Sequence, residues 1–164
     1  MTDKERIRKL RHNLYISGIG VILLGVWGCI KVTMEIFLSQ GGMDTSGIDA
    51  EEIPLFQAAL LVMLIFVSAI IIAFHLYVGL NAMKAGKKGS GKKAYLFVAA
   101  FMGVLSLFSV AGDYEIVRKD IAQIDVAIAA FLVDVTFIFL IIDIIYSSVK
   151  IGELEKLRVD KREL

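Results

Sequence analysis

Four apolar stretches separated by short polar gaps divide the chain, from about Leu14 to Leu38, Pro54 to Met83, Tyr95 to Ala111 and Val126 to Tyr146. A hydrocarbon core about 30 Å thick takes roughly 20 helical residues, so each stretch predicts a transmembrane helix. The third is tight, and the second is long enough to tilt or protrude. The pattern therefore predicts an all-α integral membrane bundle of four helices, a single membrane domain over residues 1–164. Thr2 and Glu5 have capping-box spacing, which predicts a helix that begins ahead of the first apolar stretch. Asp49, Glu51 and Glu52 precede Pro54, a charge pattern and a first-turn proline suited to the start of the second helix. After Val149, Ile151, Leu154, Leu157 and Leu164 alternate with charges. This predicts that 150–164 prolongs the fourth helix, either as an amphipathic tail lying against the membrane surface or a partner or as a solvated extension.

The polar gaps differ in charge, and that difference predicts an orientation. The head carries Lys4, Arg6, Arg8, Lys9 and Arg11; the second gap carries Lys84, Lys87, Lys88, Lys92 and Lys93; the tail carries a further five basic residues. The first gap, by contrast, has Asp44, Asp49, Glu51 and Glu52 and no basic residue, and the third gap has only Arg118 and Lys119. Short loops rich in Lys and Arg stay cytoplasmic, so both termini are expected inside a plasma-membrane protein. The lysines of the second gap are expected to contact anionic headgroups there. The net charge of +1 hides this asymmetry.

Composition agrees with the pattern, since 57% hydrophobic residues and a single proline do not suit a soluble domain. The basic head and first apolar stretch imitate a signal peptide. The stretch runs on without a small-x-small cleavage site, so an uncleaved anchor is expected. Cys29 is the only cysteine, which excludes an intrachain disulfide.

Small residues recur at spacings that let helices approach closely. Gly18, Gly25 and Gly28 share a face of the first span with Val21. Ala69 and Ala73 in the second, and Ala99 and Gly103 in the third, have small-xxx-small spacing. Packing within the chain is the favoured use, and an oligomer interface the other.

Five ionisable residues fall inside the apolar stretches: Lys31, Glu35, His75, Asp134 and Asp143. Each calls for a partner, because an isolated charge in hydrocarbon is costly. Counting from the outer helix ends, Lys31 lies about 10 Å deep and Asp134 about 12 Å deep, so the two can pair, with Glu35 one turn above Lys31. His75 and Asp143 share a depth of about 10–12 Å from the opposite side and form a second possible pair. Such layers can be a proton relay or structural pairs that set helix register; two sparse layers favour the structural role.

Sharper chemistries find little support. A membrane haem would want a pair of axial ligands and only His75 lies within the spans; a zinc site would need three or four clustered ligands. No serine in a nucleophile-elbow context accompanies His75. Gly86, Gly91 and Lys92 imitate a phosphate-binding loop, but Lys93 replaces the hydroxyl residue that would reach magnesium and no strand precedes it. The acidic gap does not follow EF-hand spacing. No catalytic constellation, metal or cofactor, and no nucleic-acid partner, is expected. The leading expectation is a small non-enzymatic multi-pass protein that acts by association, as an accessory subunit, assembly factor or membrane organiser, with a homo-oligomer or membrane-protein partner. The alternative is an oligomeric transporter or channel subunit with a polar path that includes Asp134 and His75.

Overall fold

The computed structural model describes residues 3–40, 52–88, 93–119 and 124–163, with side chains for 3–33, 52–87, 93–112, 114 and 128–158. These form α1 (Asp3–Gln40), α2 (Ile53–Lys88), α3 (Ala94–Lys119) and α4 (Ile124–Glu163). All four are long and apolar enough to cross a membrane, as fits a multi-pass membrane protein. Pro54 stands in the first turn of α2, where a missing N–H costs no helical bond, and Phe56 N–H already donates to Glu52 O at 3.0 Å. Thr2, the acidic gap over 41–51, and Gly91 and Lys92 lie outside the described residues. Every helix outruns its predicted apolar stretch at one end or both. α3 continues past Ala111 to Lys119 and α1 begins at Asp3, because helix-forming polar residues carry the backbone beyond the hydrocarbon-length core.

The direction of each helix follows from its contacts. Gly86 of α2 lies against Arg11 and Tyr15 while Gly28 lies against Ile71, so α1 and α2 run antiparallel. Arg11 meets Glu155 and Lys31 meets Asp134, so α4 is antiparallel to α1. Tyr95 meets Ser148 and Ser109 meets Asp134, which makes α3 antiparallel to α4. Both ends of the described chain therefore lie at the same end of the bundle as the α2–α3 connection. Around the bundle the order is α2, α1, α4, α3. α2 and α3 close the ring only sparsely, and α2 and α4 stand across it with little contact.

Backbone proximity concentrates between α1 and α2. A Cβ on Gly18 would stand 2.7 Å from the Gly79 carbonyl oxygen, and one on Gly79 would stand 2.6 Å from that of Gly18, so the two backbones touch where neither residue has a side chain. Gly25 gives the same room to His75, whose Cβ would lie 2.5 Å from an added methyl. Gly28 is looser, with Ile71 at an ordinary 3.5 Å. Val21 is fully buried beside this seam, and the core continues through Leu14, Val78, Ala82, Tyr95, Ala99, Phe137, Ile141 and Ile144. Ala99 is buried and a Cβ on Gly103 would stand 3.2 Å from the Ile141 side chain, so the small residues of α3 also pack within the chain. Ala69 and Ala73 do not: both are exposed. α2 turns a different side, with Ile71, His75 and Gly79, to α1.

The tail follows the expectation in continuing α4 as a helix, but its apolar side is already occupied. Ile151 and Leu154 are buried and Glu155 is bound to Arg11 at 2.6 Å, while Leu157 remains exposed. This part of the tail is thus tied to the first turns of α1 through Arg11 and Glu155.

Candidate functional site

The most elaborate polar cluster within the apolar span joins three helices. Lys31 Nζ on α1 lies 3.3 Å from Asp134 Oδ2 on α4, and Ser109 Oγ on α3 donates to the same carboxylate oxygen at 2.6 Å. Lys31 also reaches Ser109 Oγ at 3.5 Å, and Ser106, one turn away, donates to the Asp134 carbonyl at 3.4 Å. The carboxylate thus accepts from both a cation and a hydroxyl, which ties α1 and α3 to one point on α4. Glu35 belongs to α1, at a position whose side chain lies outside those described.

This cluster stands at the wall of a cavity of about 550 Å³ lined by all four helices. The rest of the lining is mostly apolar and aromatic, with Trp27 from α1, Ile70 and Phe74 from α2, Leu105 from α3 and Phe137 from α4. Trp27, Ile70, Phe74 and Leu105 are 43, 40, 42 and 51% exposed while lining it, so the cavity is open at the side. The opening follows from the sparse closure between α2 and α3. A largely apolar hollow with a few converging polar groups is the form that small-molecule sites take between the helices of a bundle.

His75 lines the same cavity, but its ring is bound to its own helix. Nδ1 lies 2.8 Å from the Ile71 carbonyl oxygen; a carbonyl only accepts, so Nδ1 carries a proton and donates to it. Phe137 packs on the ring at a centroid distance of 5.1 Å, tilted by 41°. The pairing expected between His75 and Asp143 is therefore replaced. Asp143 accepts from Ser17 Oγ at 2.5 Å and from Ser147 Oγ at 3.3 Å, which couples α4 to α1 rather than to α2. Equal depth did not suffice, because α2 and α4 face each other across the bundle instead of packing. Asp134 and Asp143 are nine residues apart, about 13 Å along the helix, and the buried side chains of Phe137 and Ile141 lie between them.

The hydroxyl partners Ser17, Ser106, Ser109 and Ser147 were not singled out from the sequence. A signal exists for three of them: Ser147 is one turn from Asp143, and Ser106 and Ser109 repeat at helical spacing in an otherwise apolar run. Among the basic residues expected at headgroups, Lys84 is exposed and the Lys87 ammonium sits 5.0 Å above the Tyr15 ring. Lys93 reaches over Gly152 of α4, whose added Cβ would lie 3.0 Å from Nζ. Lys88 ends α2, its side chain outside those described, and Lys92 lies outside the described residues. Among the described residues no group of three His, Cys, Asp or Glu stands close enough to hold a metal. Comparison with family models, curated proteins and solved structures found no match.

Proposed function

We propose that the chain is a small non-enzymatic multi-pass membrane protein that acts by association, as an accessory subunit, assembly factor or membrane organiser. The exposed face of α2 is its contact surface, and a second copy of the chain is its first partner. One observation carries this reading. Of the small-residue faces on α1, α2 and α3, those of α1 and α3 are used up inside the bundle, while Ala69 and Ala73 are left exposed on α2. Close approach of another helix needs such a face, and this one lies in the apolar span. The two polar clusters add to it, since each is satisfied locally and buried apolar side chains lie between them, as structural pairs would have it. The protein sits in the plasma membrane with both termini cytoplasmic, and the lysines near the α2–α3 connection meet anionic headgroups there.

Energy transfer between donor- and acceptor-labelled copies in liposomes tests association. Wild type is expected to give transfer above random proximity, and Ala69→Leu with Ala73→Leu to abolish it without a change in melting temperature. Transfer unchanged by both substitutions would overturn the reading. Single cysteines at Glu52 and Lys93 in a Cys29→Ser background test orientation, since only the former should react from outside intact cells.

A second reading has its own support, because Asp134 and His75 line one cavity. In it the chain is a subunit of an oligomeric transporter or channel whose path includes both. Asp134→Asn would then abolish pH-dependent flux in proteoliposomes while the fold persisted; absence of flux in the wild type rejects it.

A further inference from the structure

At the end of the bundle that carries both termini, a second cavity of about 700 Å³ lies between α1, α2 and α4. Five cations line it, Lys4, Arg8 and Arg11 from α1, Lys87 from α2 and Arg158 from α4, against the two carboxylates Glu5 and Glu155. Residues far apart in the chain thus converge with an excess of three positive charges, which a charge run along one solvated helix face would not produce. The floor is built. Arg11 is held by Glu155 at 2.6 Å with its Nε–H buried and without a hydrogen-bond partner, and Lys87 is held over the Tyr15 ring at 5.0 Å. Tyr15 and Gly86 close the bottom of the cavity where the first apolar stretch begins at Leu14, so the floor lies at the edge of the hydrocarbon-length core. Lys4, about 16 Å further along α1, marks the rim.

We propose that this cavity binds an anionic phosphate ligand carrying more than one phosphate, with Arg8 and Lys4 as the principal contacts at its mouth and Lys87 and Arg11 at its floor. Three observations favour this chemistry. The excess charge matches two phosphodiesters better than one. The volume far exceeds a single phosphate. Guanidinium groups offer the paired donors that phosphate oxygens accept. A phospholipid headgroup with two phosphates, reaching in from the adjoining leaflet, and a free polyphosphate share this chemistry. The inference does not rest on the association reading, since α2's exposed alanines lie well away from this end.

The test uses the full chain in mild detergent, with native mass spectrometry after exchange into equal mole fractions of cardiolipin, phosphatidylglycerol and phosphatidylcholine. A parallel arm measures thermal stabilisation by millimolar pyrophosphate. Lys4→Gln with Arg8→Gln removes two charges from the cavity; Arg6→Gln with Lys156→Gln removes two exposed charges from the same end of the bundle, outside it. Cardiolipin should be retained preferentially by wild type, reduced about tenfold or more in the cavity variant, and kept within about twofold in the control variant. Retention of cardiolipin assigns the lipid source. Stabilisation by pyrophosphate without lipid retention, lost in the cavity variant alone, assigns the free anion. Equal losses in the two variants, or no preference and no stabilisation in either arm, would overturn the proposal.

Discussion

The α1–α2 seam and the α2–α3 seam share one helix and differ in almost everything else. In the first, Gly18 and Gly79 bring two backbones into contact and Gly25 admits His75; in the second, α2 and α3 stand apart and a cavity of about 550 Å³ opens at the side. Small residues occur on both sides of α2, so their presence alone does not decide where helices meet. Close packing needs a stripe and a partner delivered to it by the topology. Gly79 has that partner, whereas Ala69 and Ala73 stay exposed among the described residues.

The largest effect expected from breaking this contrast is at the glycine contact. Gly79→Leu would drive a side chain into the Gly18 carbonyl and Ile22, so thermal unfolding in detergent should register a loss of about 3 kcal/mol or failure to fold. Gly25→Leu should follow closely and exceed Leu24→Ala, which removes a partly buried side chain without a backbone clash. Equal melting shifts for Gly25→Leu and Leu24→Ala would remove the distinction between the two seams.

Next is the polar cluster that borders the open seam. Lys31→Met strips a cation from Asp134 and should cost about 2 kcal/mol, while Lys31→Met with Asp134→Leu should recover part of that loss. A double variant less stable than the single one would show that the pair does not act as a unit. The smallest effect belongs to Gly112. An added Cβ there meets nothing within 4 Å although the residue borders the cavity, so Gly112→Ala should change stability by no more than about 1 kcal/mol, in the stabilising direction. Destabilisation would mean that the seam is closed in the membrane.

How much of this could be read from the chain depended on which coordinate a residue's role required. Spans and their helical character follow from length and hydropathy, and the meeting of Lys31 with Asp134 follows from depth, which rise per residue sets well. Azimuth and helix order are not encoded so locally. His75 and Asp143 share a depth but sit on helices that face each other across the ring, so Ser17 and Ser147 took the carboxylate instead. Serines were easy to miss, because an uncharged hydroxyl does not interrupt an apolar run as Asp143 does. The same limit applied to Ala69 and Ala73, whose spacing was legible and whose exposure was not. The basic cavity was invisible for a related reason: Lys87 and Arg158 join Lys4 and Arg8 only once the helices are folded back on one another.

We propose that the exposed face of α2, and not the glycine face of α1, is where this protein meets another copy of itself. Oxidative cross-linking in native membranes tests it most directly, with Ala73→Cys compared against Ala99→Cys in a Cys29→Ser background. Ala73→Cys should give a disulfide-linked dimer and Ala99→Cys only monomer, since Ala99 is buried inside the bundle. Monomer for both, at expression levels where the protein is folded, would contradict it.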